Sequence, residues 1–163
     1  MAIENEIPSA QTPLLISRVF AAPPELLFRA WSSAEHLKHW FCPAVFTVPE
    51  ACVEFRVGGA FDICMRSPDG QDHWTRGRFT EIVPHSRLSI DMTPEIEPHR
   101  PLFRARTVVR FTAEPGGTRL EVTQSYALLD PAAAAMIQGA PMGWSQTLDR
   151  LALEVARMQK SQG

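Results

Sequence analysis

No stretch of this chain approaches the roughly 20 consecutive apolar residues that a membrane-spanning helix needs. Its first twenty residues also lack the apolar core of a secretory signal, so a soluble, cytoplasmic protein without a membrane partner is expected. Charge of one sign is missing as well. The 16 basic and 18 acidic residues leave a net charge of −2 and are dispersed, which excludes the electrostatic footprint of a nucleic-acid or polyanion binder. Cysteine is scarce and odd in number: Cys42, Cys52 and Cys64 match neither a paired disulfide framework nor a Cys-x-x-Cys metal pattern. They read as free thiols in a reducing compartment, with Cys52 and Cys64 in strands as small buried hydrophobes. No Gly-x-Ser-x-Gly elbow or cysteine-nucleophile signature is present. Gly58-Gly59 and Gly116-Gly117 lack the lysine and hydroxyl residue of a phosphate loop, and both read as turns. His36 and His39 lie three apart with Cys42 nearby but have no fourth ligand in view, so neither a metal nor a cofactor is expected.

What is present is the material of one ordinary globular domain, with 163 residues, 45% of them apolar and 21% charged. Residues 1–11 show no periodicity and read as a flexible lead-in, and 12–160 read as the domain. From Leu14 to Phe20, alternation puts Leu14, Ile16, Arg18 and Phe20 on one strand face. Pro23 and Pro24 stop that strand, and Pro24 with Glu25 can open a helix carrying Leu27, Ala30 and Trp31. Ser33 can cap a second short helix that carries Leu37 and Trp40 and ends before Pro43. Strand patterns follow at 46–55, 61–66, 73–83 and 88–92, then a proline-rich loop from Pro94 to Pro101, then strands at 103–112 and 118–126. Counting the first, that makes about seven. In the C-terminal segment the apolar period changes to alternating steps of four and three through Ile137, Pro141, Trp144, Leu148, Leu151, Val155 and Met158. Pro141 divides it into a short helix over about 131–138 and a long one beginning near Pro141.

One sheet and one long apolar helix stripe must cover each other. The signatures along this order are Arg18-Val19-Phe20-Ala21-Ala22-Pro23-Pro24-Glu25, Trp40, Arg56-Val57-Gly58-Gly59-Ala60-Phe61, Asp69-Gly70, Gly77, Glu81-Ile82-Val83-Pro84, Gly117-Thr118 and Gly143-Trp144. Together, over roughly Leu15 to Val155, they resemble the proteins related to the activator of heat shock protein 90 ATPase, a branch of the START-like superfamily. The sequence departs from that pattern at Glu54-Phe55, where relatives commonly carry an aspartate directly before the arginine. The resemblance implies an α+β helix-grip fold (START-like, Bet v 1-like). In that fold a curved antiparallel sheet of about six to seven strands surrounds a long C-terminal helix, two short helices follow strand one, and an apolar pocket separates sheet from helix.

Aromatic and methionine residues on the surrounding elements are the candidate pocket wall: Trp40, Phe61, Met65, Trp74, Met92, Phe103, Met136 and Trp144. Polar residues at apolar phases are sharper probes, namely Arg76 beside Trp74, Gln124, and Arg18. Each needs a partner, either a protein carboxylate such as Glu121 or a polar ligand group. Asp62, His73, Glu81, Asp91 and Glu121 lie on strands and are the available acids and bases. Alternation turns Asp62 and Asp91 to water if Phe61 and Ile90 face inward, but it does not decide between the two faces of the strand from His73. The resemblance, with this supply of aromatic and methionine residues, implies three readings: a binder of a small apolar or aromatic molecule, a cofactor-free cyclase, aromatase or hydrolase using the same pocket, as some members of the superfamily are, and, by analogy with the co-chaperone, an interaction module partnered by a chaperone or a second copy of the chain.

Overall fold

Alternating apolar residues set the first strand, β1 (Leu14–Phe20), whose even positions face inward. The two prolines end it, and Pro24 occupies the first turn of α1 (Pro24–Ser32), where its missing N–H costs no hydrogen bond. Helix α1 buries Leu26, Leu27, Phe28, Ala30 and Trp31. The Ser33 hydroxyl then accepts from the backbone N–H of His36 at 3.2 Å and caps α2 (Ala34–Trp40), which buries Leu37 and Trp40. The computed structural model describes residues 13–162, so the lead-in expected over 1–11 lies outside the described residues.

Strands β2 (Thr47–Val53), β3 (Phe61–Arg66), β4 (Asp72–Val83), β5 (Arg87–Glu97), β6 (Arg100–Pro101), β7 (Phe103–Glu114) and β8 (Gly117–Leu128) complete an antiparallel sheet of order β1-β8-β7-β5-β4-β3-β2, with β6 beside β5. At the β2–β3 corner Gly58 takes a φ of +85°, and a Cβ on Gly59 would overlap the Glu54 carbonyl oxygen. Across this corner Glu54 Oε1 lies 3.6 Å from Arg56 Nη2, so an exposed ion pair forms despite the departure from the usual Asp-Arg pattern.

Two expectations need correction. The segment expected as a loop from Pro94 to Pro101 is strand to Glu97 and again at Arg100–Pro101. Pro94 stands opposite Thr75, and its carbonyl accepts from Leu102 N at 2.8 Å, so the ladder passes a residue that has no N–H. Cys52 is exposed on the sheet-edge strand β2, whereas Cys64 is buried.

The inner sheet face is aliphatic and aromatic, with Phe61, Ile63, Phe79, Leu88, Val109 and Leu120 all fully buried. Against it lie α3 (Ala133–Gln138) and α4 (Ala140–Gln162), divided at Gly139 as Pro141 implies. Leu148, Leu151, Val155 and Met158 of α4 are buried on the face toward the sheet. Arg18 of β1 reaches α4, donating to Asp149 Oδ1 at 2.7 Å and to the Ser145 carbonyl at 3.2 Å, so its partner is the helix rather than Glu121. Among the described residues no helix is long and apolar enough to cross a membrane.

Candidate ligand cavity

The space between sheet and α4 is filled at one end and hollow at the other. Helices α1 and α2 drive an aromatic plug into the filled end. Trp31 and Trp40 meet edge to face at 4.9 Å, Trp31 stacks on Trp144 at 6.1 Å, and Phe41 stands edge-on to Phe61 at 5.3 Å. The Trp40 indole donates to the Ala30 carbonyl at 3.0 Å, while the fully buried Trp31 N–H has no partner among the described residues.

Beyond the plug lies a cavity of about 230 Å³. Phe41 and Trp144 form its inner wall. The sheet contributes Met65 from β3, Thr75 from β4, Met92 and Pro94 from β5, Phe103 and Ala105 from β7, and Gln124 and Tyr126 from β8. Met136 of α3 closes another side, and Gly139, Ala140 and Gly143 at the helix junction bring backbone rather than bulk. No carboxylate, imidazole, ammonium or guanidinium lines it among the described residues.

The structure thus gathers Met65, Met92, Phe103, Gln124, Met136 and Trp144 around one space, and it places the other four candidates elsewhere. Trp40 and Phe61 are wholly buried behind the inner wall. Trp74 and Arg76 are on the outer sheet face, because Thr75 and Phe79 take the inward positions of β4. There the Arg76 guanidinium lies 4.2 Å over the Trp74 ring and 3.8 Å from both Asp62 and Glu95, which satisfies it without a ligand. The two faces of β4 could not be told apart in sequence because a register shift between Phe79 and Glu81 turns Ile82 inward as well.

Sequence reasoning missed Tyr126 and Ala105, although each sits two residues from a candidate on the same strand face; alternation carried that signal. It also missed Phe41, which follows a helix end and belongs to no period.

The one polar patch on the β7–β8 part of the wall is a chain of hydrogen bonds. The Tyr126 hydroxyl donates to Gln124 Oε1 at 2.9 Å, and Gln124 Nε2 donates to Thr107 Oγ1 at 2.9 Å, with Gln124 and Thr107 paired directly across the strands. Burial pushes the Tyr126 phenol up to about 12. The Thr147 hydroxyl is spent on the Gly143 carbonyl at 2.8 Å.

The expected acids and bases lie outside the cavity lining. Asp62 accepts from Gly77 N at 3.3 Å, Asp91 from Arg106 at 3.2 Å and Glu81 from Arg87 at 2.8 Å. The His73 ring lies against Phe46, and Glu121 stands opposite Arg110. His36 Nδ1 pairs with the buried Glu154 of α4 at 2.8 Å, and Arg157 holds the same carboxylate at 2.6 and 2.8 Å. Burial alone would push the Glu154 carboxyl up, but the hydrogen bonds from Arg157 and His36 outweigh it and hold the group below its ordinary range. The Cys42 thiol is pushed up by burial against the pull of Arg150, which donates to Cys42 Sγ and to the Phe46 carbonyl at 2.8 Å.

A curved sheet gripping a long helix, with two short helices filling one end, defines a helix-grip protein of the START-like class. Over residues 21–156 the chain matches the family described as Activator of Hsp90 ATPase homolog 1-like protein, and it belongs to that family. Similar solved structures include an uncharacterized protein of Rhizobium leguminosarum, 31% identical with a TM-score of 0.76, covering 90% of this chain and 95% of that one. An AHSA1 protein of Silicibacter pomeroyi is 25% identical with a TM-score of 0.75, covering 90% of this chain and 99% of that one. A protein of Arthrobacter aurescens shares only 19% identity but has a TM-score of 0.78, with 89% and 86% covered, which is a likeness of fold alone. No curated protein matches the chain.

Proposed function

We propose that this protein binds a small, uncharged, largely apolar molecule in the cavity between the sheet and α4. One observation carries the reading: the cavity wall is built of aromatic, methionine and small residues and presents no ionised group among the described residues. An anion or cation placed there would lose its hydration without gaining a counter-charge, at a cost of several kcal/mol. The volume of about 230 Å³ exceeds the roughly 150 Å³ that accepts a benzene and falls below the range of about 300–1,000 Å³ typical of drug-sized ligands, so the occupant has one or two rings or an equivalent chain. Methionine supplies a wall that adapts to different outlines.

The cofactor-free enzyme reading finds less support. Its acid or base would have to stand in the wall, and among the described residues the only titratable side chain there is Tyr126, which burial holds protonated and so makes a donor rather than a base.

Methyl-labelled methionine NMR tests the binding reading. Titration with small neutral aromatics is expected to shift the Met65, Met92 and Met136 methyl resonances together and to leave Met142 and Met158, which lie off the cavity, unmoved. If none of these molecules shifts the three cavity methionines, the reading fails.

A further inference from the structure

The cavity wall is largely apolar, and its β7–β8 side has hydrogen-bonding capacity to spare. Gln124 lies in the wall and is itself buried, with the hydroxyls of Tyr126 and Thr107 on its two sides. A primary amide offers two N–H donors and two oxygen lone pairs. One donor and one lone pair are committed to these neighbours, and this holds whichever way round the amide is turned, because each neighbour is a hydroxyl that can give or take. One N–H and one lone pair therefore remain on a side chain that lines the cavity. On the same wall Tyr126 keeps an unused lone pair, and Thr75 of β4 has no side-chain hydrogen bond among the described residues.

Resting on the binding function proposed above, we infer that Gln124 is the residue that selects the ligand, and that the ligand class is an apolar skeleton bearing one neutral hydroxyl, such as a phenol or a small alcohol. A hydroxyl both donates and accepts, so it uses the spare lone pair and the spare N–H together. A hydrocarbon leaves both unmet, and a carboxylate satisfies the N–H but brings a charge for which the wall has no partner. The strongly raised Tyr126 phenol points the same way, since the site disfavours an anion even where the protein supplies it. An aliphatic residue in place of Gln124 would suffice if its only task were to fill the sheet face, as Val122 and Leu120 do on the same side of β8.

The test is a matched series of nearly equal shape, p-cresol, p-xylene and p-toluate, titrated by isothermal calorimetry and by the methionine methyl shifts. Expected is p-cresol binding at least tenfold tighter than p-xylene, with no p-toluate binding at neutral pH; one hydrogen bond to a buried group accounts for about that factor. The Gln124→Leu/Tyr126→Phe variant, checked for cooperative melting, should abolish the difference between p-cresol and p-xylene, because the groups that told them apart are gone. Equal binding of p-cresol and p-xylene to the unaltered protein overturns the selection by Gln124 but leaves the cavity reading intact, and it does so whether or not the variant folds. Binding of p-toluate above the others also overturns it. Failure of all three to bind removes the cavity reading and this inference with it.

Discussion

The two ends of the space beneath α4 use the same kinds of residue and reach opposite results. At the filled end Trp31, Trp40, Phe41 and Phe61 interlock edge to face, and at the hollow end Met65, Met92, Phe103 and Tyr126 surround an opening of about 230 Å³. Hydrophobicity is not what separates them. At the filled end two extra helices bring bulky side chains into the gap, whereas at the hollow end the helix junction supplies Gly139, Ala140 and Gly143, and the sheet supplies Ala105. A cavity here is the product of small residues placed where the backbone turns, inside a frame that the aromatic end makes rigid.

Breaking the filled end should produce the largest effect. Trp40→Ala removes a wholly buried ring and its hydrogen bond to Ala30 and is expected to cost about 3–5 kcal/mol in denaturant unfolding. Met136→Ala, at the half-exposed rim of the hollow end, should cost under about 1 kcal/mol. Next comes the polar clamp beside the plug. Because hydrogen bonds hold the folded Glu154 carboxyl below its ordinary value of 4.5, its stabilisation is complete above about pH 4.5 and is lost as pH falls through the lowered folded value. Glu154→Gln should lower stability by about 1.5–3 kcal/mol at pH 7 and flatten that part of the acid-unfolding profile. A clamp that contributes nothing would leave the two profiles parallel.

Added bulk should separate the ends in the opposite sense. Ala30→Leu at the filled end has no room and should cost about 1–3 kcal/mol, detectable as a lower melting temperature. Gly143→Leu meets open space, since a Cβ there has no neighbour within 4 Å, and it should raise stability by up to about 0.8 kcal/mol through helix propensity. The same substitution should reduce the response of the cavity methionines to added aromatics. A loss of stability at Gly143 as large as that at Ala30 would show that the two ends are not differently packed.

Local chemistry makes most of the frame legible in the sequence. The proline stop at Pro23, the Ser33 cap and the Pro141 break each act within a turn or two, and the structure has them where they were expected. The proline-rich segment misled because a proline is compatible with a ladder wherever its missing N–H is not needed, a condition set by the neighbouring strand and not by the segment itself. Trp74 and Arg76 misled for a related reason: a large ring and a cation at alternate positions describe an outer-face stack as well as a pocket wall, and the phase of β4 depends on one register shift. Gln124 was visible as a polar residue at an apolar phase. Its partner Thr107 was not, because strand pairing fixes it and leaves no trace in composition, whereas Tyr126 follows from alternation along the same strand.

The pairing of β1 with β8 has a further consequence for how this chain comes into being. Leu14 lies opposite Gln124 and Phe20 opposite Thr118, so the first strand has no strand partner until nearly a hundred further residues have been made. Helix α4, which covers the inner sheet face, is synthesised later still. On the ribosome the nascent chain therefore carries an uncovered apolar trough that no local contact can close. Folding must wait for long-range pairings of the kind that take milliseconds to seconds rather than microseconds. Until α4 docks, the apolar surfaces that will later enclose the cavity are open to other unfinished chains, the kind of exposure that favours aggregation.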